Sequence, residues 1–214
     1  METTEQPDSG MRKLDMTSLK ALAHPLRVKL FDALSTYGPA TASGLAERLG
    51  ESSGATSYHL RQLEKHGFVR EDASKGSARE RWWERSPEGI TVVQTEFPPS
   101  SAERAASDLV TREWQVNRDA MVNEFIAHGT DRLEREWFEA STLDTSNLRL
   151  TLEQFTALRL ELQAVTERYY AIGKARGVPG TRPVQIQLNA FPVMDAEVVP
   201  ADPDSAADNV SGTA

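Results

Sequence analysis

The chain has 214 residues, 39% of them hydrophobic and 26% charged, and these proportions are typical of a globular protein. It contains no cysteine, which excludes disulfides, thiolate zinc sites and thiol redox switches. It has neither a long apolar run nor a basic N-terminal segment followed by an apolar one. We therefore expect a cytoplasmic protein without a signal peptide or a membrane span.

Charge is distributed unevenly along the chain. The net charge is −8, but residues 11–90 hold 13 Lys and Arg against 10 Asp and Glu. The acidic excess lies outside this region, so the region itself is suited to a phosphate-bearing partner. Residues 1–12 and 195–214 are acidic and poor in large apolar side chains, and we expect both to be disordered tails.

Three short helices are predicted between residues 15 and 50. Leu19 and Leu22 give the first helix an apolar face, and Pro25 stands where a second helix begins. Thr41 is a candidate N-cap for the third helix, which Gly50 ends. The next helix lies in "SSGATSYHLRQLEKHGFV", residues 52–69, so a helix, a tight turn and a second helix follow one another as in a helix-turn-helix.

A β-hairpin is predicted directly after this helix-turn-helix. "FVRED" and "ARERWWERS" alternate as strands do, and the polar loop "ASKGS" joins them. One of the two adjacent tryptophans, Trp82 and Trp83, should face the core and the other should not. Three helices followed by a hairpin predict a winged helix-turn-helix domain over residues 13–89.

The segments "LKALAHPLRVKLFDAL", "ASGLAERLG" and "SYHLRQLEKHGFV", followed by the glycine-tipped hairpin, resemble the winged-helix domain of ArsR-type bacterial transcriptional regulators. The resemblance covers roughly residues 15–86. It implies a homodimer that binds a near-palindromic operator in double-stranded DNA and represses it. Well-known members of that family sense metals, often through cysteines, which this chain lacks; we expect no metal and no other cofactor.

The first two turns of the helix from residue 53 carry small or polar side chains, which let a helix backbone approach base edges and phosphates in the major groove. Arg61 is suited to guanine, and Tyr58 to phosphate or a thymine methyl. The alternative is a capped surface helix with solvated arginines. The predicted DNA-binding residues are Thr41, Ser52, Ser53, Gly54, Ala55, Ser57, Tyr58, Arg61, Lys75, Arg79 and Arg81.

The four histidines do not form a recognisable metal site. His24 precedes Pro25 and suits a cap, and His66 suits the C-terminal end of a helix. His128 follows Glu124 by one helical turn, a spacing that is frequent by chance. Without a nucleophile elbow or a phosphate-binding glycine loop, we expect no enzyme activity.

Residues 90–194 are predicted to form a C-terminal dimerisation or sensor unit. We expect a strand at 90–96, a helix from a Ser100 cap to about Ala127, a shorter helix capped by Thr130 or Asp131, and a helix that begins at a Thr151 to Gln154 capping box. A last strand should run through 184–190, paired with 90–96. The chain is thus predicted to be α+β, with an N-terminal winged helix-turn-helix domain and a mainly helical C-terminal unit with a small antiparallel sheet.

The helix after residue 151 has apolar residues three and four apart, a spacing that requires a facing helix. That helix is either in a second copy of the chain or at residues 102–126 of the same chain. The predicted dimerisation residues are Leu19, Leu22, Phe155, Leu158, Leu162, Val165, Tyr169 and Ile172.

The sequence therefore predicts a dimeric DNA-binding regulator. Two alternatives stay open: a winged helix that contacts only other proteins, and a regulator that responds to an unknown small molecule. For the second alternative, the candidate pocket residues are Trp114, Trp137, Phe138 and Tyr169.

Overall fold

The computed structural model describes residues 11–75, 80–91, 97–173, 178–197 and 199. The chain divides into two compact units, residues 1–147 with 178–185, and residues 148–177 with 186–214. The described elements are β1 Met11–Lys13, α1 Met16–Leu22, α2 Pro25–Tyr37, β2 Ala40–Thr41, α3 Ala42–Leu49, α4 Ser53–Lys65, β3 Val69–Glu71, β4 Trp82–Arg85, β5 Gly89–Thr91, α5 Ala102–Arg132, α6 Arg135–Glu139 and α7 Leu152–Gly173.

The helix-turn-helix is α3 and α4, and side-chain caps set where both helices begin. Thr41 Oγ1 accepts a hydrogen bond from Gly44 N at 3.1 Å, and Ser52 Oγ accepts one from Ala55 N at 3.2 Å. Gly50 ends α3 at φ 68°, a left-handed conformation that glycine adopts without steric cost. The turn is therefore encoded locally, as the sequence indicated.

The wing is an antiparallel sheet in the order β2-β4-β3. Val69 pairs with Arg85 and Glu71 with Trp83. Trp83 is the tryptophan that faces the core, being 3% exposed, whereas Trp82 is half-buried. The described strand β4 begins at Trp82, later than the predicted strand, and the predicted loop tip and Arg79 lie outside the described residues.

A second, parallel pairing joins β1 to β5, with Arg12 opposite Ile90. Arg12 also donates to His66 O at 3.0 Å and to Ser18 Oγ at 2.6 Å. The prediction of a disordered tail is therefore wrong at residues 11 and 12. Local composition does not reveal these contacts, because the partners are distant in sequence.

One hydrophobic core holds α1, α2, α3, α4, the wing and the first part of α5 together. Leu30, Leu60, Leu63 and Val28 are all 0% exposed. Val110 carries α5 into the same core, also at 0% exposure. Helix α4 is thus fixed on its inner face by several other elements, and its outer face is left to solvent.

Helix α5 differs from the prediction at both ends. Ser101, not Ser100, is the N-cap, since Ser101 Oγ accepts from Arg104 N at 3.1 Å. The helix runs through Gly129 to Arg132 instead of stopping near Ala127, and Glu134 precedes α6 where we expected Thr130 or Asp131 as a cap. The reason is packing: Gly129 is buried, and a Cβ there would lie 3.3 Å from Phe138 of α6.

The second unit contains α7, which begins at the predicted capping box. Thr151 N donates to Gln154 Oε1 at 2.9 Å, and Gln154 N donates back to Thr151 Oγ1 at 3.2 Å. The predicted strand at 184–190 is not formed, and the side chains of Val184, Ile186 and Leu188 are at least half-exposed. The strand predicted to pair with it covers residues 90–96, and residues 92–96 lie outside the described part of the chain.

The fold class is confirmed as α+β, with an N-terminal winged helix-turn-helix domain and a mainly helical C-terminal region; the antiparallel sheet of the described residues lies in the N-terminal domain. None of the helices in the described ranges combines the length and the apolar character needed to cross a membrane.

Candidate nucleic-acid interface

Helix α4 presents one face to the core and another to solvent. Thr56, Leu60 and Leu63 are each 0% exposed and anchor the helix. On the other side Tyr58 is 54% exposed, and Arg61 is exposed one turn further along. With Ser53 and Gly54 also exposed, the leading half of the helix is a continuous polar face without bulky side chains near its start.

A groove of about 300 Å³ lies beside this face, between α4, the start of α3 and the wing. Arg61 and Arg81 give it positive charge, and Glu80 adds one negative charge. The lining residues are Thr41, Ala42, Ser43, Ser57, Arg61, Glu80, Arg81 and Trp83. Four predicted DNA-binding residues, Thr41, Ser57, Arg61 and Arg81, are therefore brought together in one concave surface.

Several of the predicted DNA-binding residues already have contacts within the protein. Ser52 is engaged as the cap of α4, and Ala55 is half-buried against the core. Lys75 is exposed on the wing, with its Nζ 3.9 Å from Asp72 and 5.8 Å from the centre of the Trp82 ring. Arg81 is also held by a carboxylate, since its Nε lies 3.6 Å from Glu71. Both wing cations thus have a carboxylate partner within 4 Å, and ion pairs at a protein surface contribute little to stability.

The histidines occupy structural positions. His24 caps α2, its Nδ1 accepting from Leu26 N at 3.2 Å, as expected, and its ring centre lies 4.3 Å from that of His59. Burial lowers the pKa of both imidazoles, and the charge of Arg27 lowers it further. His66 is the C-cap of α4. His128 Nε2 lies 4.0 Å from Glu124.

No group of three or more metal-ligating side chains with suitable geometry occurs among the residues that the structure describes. The cluster around His24 and His59 has two imidazoles and no third ligand of that kind.

Sequence reasoning missed Ala42, Ser43 and Glu80 in the groove, and Arg27 beside α4. Ala42 and Ser43 begin α3, and only the packing of α3 against α4 and β4 brings them to this surface. Arg27 lies close enough to Tyr58 for the phenol to influence the pKa of Arg27, although the two are distant in sequence. No local sequence signal marks any of these positions.

Two of the predicted dimerisation residues are placed elsewhere. Leu19 and Leu22 are both 0% exposed in the core of their own chain, so they are not available to a second copy. The six apolar residues of α7 keep part of their surface accessible: Phe155, Leu158 and Leu162 are half-buried, and Val165, Tyr169 and Ile172 are 48%, 56% and 66% exposed.

Three of the four predicted pocket aromatics, Trp114, Trp137 and Phe138, lie at different places in the first unit. Trp114 packs against the N-terminal core, whereas Phe138 stacks on Phe125 with ring centres 5.7 Å apart. Trp137 meets the guanidinium of Arg182, 5.3 Å from its ring centre. Phe138 packs near Gly129 of α5. Along that helix, Gly129 lies about 22 Å from Trp114, at a rise of 1.5 Å per residue. These two aromatics do not share a pocket; Tyr169 belongs to the second unit.

A three-helix core, an exposed polar recognition helix and a β-wing define a winged helix-turn-helix domain, the DNA-binding domain of many transcriptional regulators. Residues 22–72 match the family model described as "Helix-turn-helix domain". The chain therefore carries a helix-turn-helix domain at these residues, and the match confirms this part of the sequence prediction.

Solved structures similar to the chain include NolR from Sinorhizobium fredii, 28% identical over 32% of this chain and 64% of that one, with a TM-score of 0.28. HlyU from Vibrio cholerae N16961 is 24% identical over 44% of this chain and 84% of that one, with a TM-score of 0.29. A third structure, of an ArsR family transcriptional regulator named RHA00566, is 20% identical over 50% of this chain and 89% of that one, with a TM-score of 0.29.

The family match thus supports the helix-turn-helix part of the predicted winged-helix domain, residues 22–72. The match to NolR spans under two thirds of that protein's length. None of the curated proteins compared matches the chain.

Proposed function

We propose that this protein is a homodimeric, sequence-specific transcriptional regulator that represses the promoter whose operator it binds. The observation that carries the proposal is the exposed face of α4 next to the groove at Arg61 and Arg81. A helix with small residues at its leading end enters the major groove closely, and flanking cations hold the phosphates on either side.

Two copies are required on energetic grounds. A single winged helix contacts only a few base pairs, and a domain with a small positive excess gains little from non-specific phosphate attraction. Joining two half-sites about one helical turn apart supplies the missing affinity. The apolar residues of α7 are our proposed contribution to that dimer, since half of them are at least 48% exposed in the single chain. Repression follows because an occupied operator excludes the transcription machinery.

The proposal is tested by selecting bound genomic fragments with the purified protein and measuring anisotropy with the recovered sequence. We expect a shared near-palindromic element and an affinity that falls steeply as salt rises. If the domain contacts only other proteins, the anisotropy measurement should show no salt-dependent binding to duplex DNA. That result would reject the proposal.

Arg61→Ala and Tyr58→Ala should each weaken operator binding by about 1–3 kcal/mol, because both side chains are exposed on the face of α4 that we assign to DNA. Lys65→Ala is the matched control: it removes an exposed cation at the far end of the same helix and should change affinity little. Fluorescence anisotropy measures all three, and circular dichroism checks their folding. Full operator affinity in both test variants would contradict the assignment of α4.

Zinc, nickel, arsenite and peroxide should leave DNA affinity unchanged at micromolar concentrations, because the chain contains no cysteine. Anisotropy with and without each reagent measures this, and elemental analysis of the purified protein provides an independent check. A stoichiometric metal that is lost in His128→Ala would overturn the prediction.

A further inference from the structure

The side of α4 opposite the groove carries a second cluster of nitrogen donors that the proposed function does not yet use. It consists of Arg27 and His24 from the start of α2 and His59 from α4, and we call it the α2 cluster. The rings of His24 and His59 lie 4.3 Å apart, and the His59 ring contacts that of Tyr58 edge to face at 5.1 Å. The cluster is therefore continuous with the face that we assign to DNA.

The donors of this cluster are not fully used within the described residues. Arg27 Nε and His59 Nδ1 are both buried atoms without a hydrogen-bond partner in that part of the chain. A buried polar atom without a partner costs free energy, so internal hydrogen bonds do not account for the whole cluster. The side chains of His24, Arg27 and His59 are only half-buried, and their accessible parts are what a ligand can reach. Burial lowers the pKa of Arg27, and the neighbouring phenol of Tyr58 partly offsets this effect.

The tautomer of His24 adds a donor of fixed position. Its Nδ1 accepts the Leu26 N–H, so in the neutral ring the proton is on Nε2. Burial lowers the pKa of His24, His59 and Arg27, and the guanidinium keeps its charge at neutral pH. The cluster thus offers one permanent cation and neutral imidazole nitrogens, a set that suits an oxyanion.

Glu51 opposes this attraction, because its charge acts on both imidazoles. It is exposed, in the turn before α4. Its charge is screened by solvent more than that of the partly buried Arg27. The balance therefore favours an anion held at Arg27.

We propose that the α2 cluster binds a backbone phosphate of the operator on the side of α4 opposite the wing groove. This rests on the proposed DNA-binding function and extends it. A recognition helix in the major groove lies between two phosphate backbones. The groove at Arg61 and Arg81 serves one of them, and Arg27 with the two imidazoles serves the other.

Arg27→Gln is the central test, with Lys29→Gln as the matched control on the same helix. Lys29 is an exposed cation two residues further along α2. Anisotropy at several salt concentrations should show roughly fivefold weaker binding for Arg27→Gln on operator and on unrelated duplex alike, with the slope of log affinity against log salt reduced by about one. Lys29→Gln should keep the wild-type slope. An unchanged slope in Arg27→Gln would overturn the proposal.

His24→Asn separates a role in binding from a role in folding, because asparagine also caps helices. It should keep the wild-type thermal midpoint within a few degrees and still weaken binding to all duplexes. If it binds DNA as the wild type does, His24 is only a cap and is removed from the site. If the wild type binds no duplex at all, it is the proposed function that fails.

Inorganic phosphate distinguishes a DNA phosphate from a free one. In the absence of DNA, adding millimolar phosphate should change the thermal midpoint of the wild type by no more than it changes that of Arg27→Gln. A phosphate-dependent rise confined to the wild type would identify a site for a free phosphorylated compound, and would overturn the assignment to the DNA backbone.

Discussion

Phe68→Ala should lower the free energy of unfolding of the N-terminal domain by about 3–5 kcal/mol, the usual cost of truncating a buried aromatic side chain. Phe68 is 1% exposed and meets Phe31 edge to face at 6.0 Å. The Arg12 guanidinium lies 5.5 Å from its ring centre on another side. Its loss would leave a cavity beside α2 and β1.

The position also links the recognition helix to the wing. Phe68 N donates to Leu63 O at 3.0 Å, and Phe68 O accepts from Ser86 N at the same distance. Loosening this residue should therefore disturb the orientation of α4 relative to the hairpin. We expect operator affinity to fall along with stability, since both surfaces must fit the DNA together.

Urea unfolding followed by tryptophan fluorescence measures the effect, because Trp82, Trp83, Trp114 and Trp137 all belong to the first unit. Phe191→Ala is the control: its side chain is 72% exposed and its loss should change stability by less than about 0.5 kcal/mol. A midpoint in Phe68→Ala within error of the wild type would show that the core does not depend on this ring.

The helix-turn-helix was predictable because its signals are local. Thr41, Ser52 and Gly50 define the ends of α3 and α4 through their own side chains or backbone conformation. The exposed face of α4 follows from helical spacing alone. The groove was not predictable, because Ser43 and Glu80 meet Arg61 only after α3, α4 and β4 have packed together.

The wrong predictions share a physical cause, which is that tertiary contacts override local patterns. A glycine often marks the end of a helix, and the sequence therefore predicted that α5 stops before Gly129. In the structure the helix continues, because the absence of a Cβ at Gly129 leaves room for Phe138 to pack against it. Residues 184–190 alternate as a strand does, yet a strand needs a hydrogen-bonded neighbour, and none of the described strands pairs with them. Leu19 and Leu22 mark an apolar face, and spacing alone does not say whether their own chain covers it.

Asp32→Asn should abolish a pH dependence of stability that originates where α2 meets α5. Asn117 Nδ2 donates to Asp32 Oδ2 at 2.6 Å, and Trp114 also hydrogen-bonds to the carboxylate. Burial nevertheless dominates and raises the pKa of Asp32 from 3.8 to about 6. The nearby charges of Arg118 and Arg85 only partly offset it.

The direction of the effect follows from proton binding. Between pH 3.8 and about 6 the folded chain holds the Asp32 proton more tightly than the unfolded chain does. Stability due to this group is therefore complete below that window and is lost as pH rises through it. The loss amounts to about 3 kcal/mol at most, at 1.36 kcal/mol for each pH unit between the two pKa values.

Urea unfolding at pH 4.5, 6 and 7.5 tests the prediction. Asp32→Asn keeps an acceptor for Asn117 but has no charge to desolvate, so its advantage over the wild type should grow with pH and reach about 1–3 kcal/mol at pH 7.5. Asp119→Asn is the matched control, since that exposed carboxylate lies on α5 and accepts from Gln115 at 2.7 Å. Parallel pH profiles for Asp32→Asn and the wild type would mean that Asp32 stays ionised in the folded chain, and that the contact between α2 and α5 tolerates its charge.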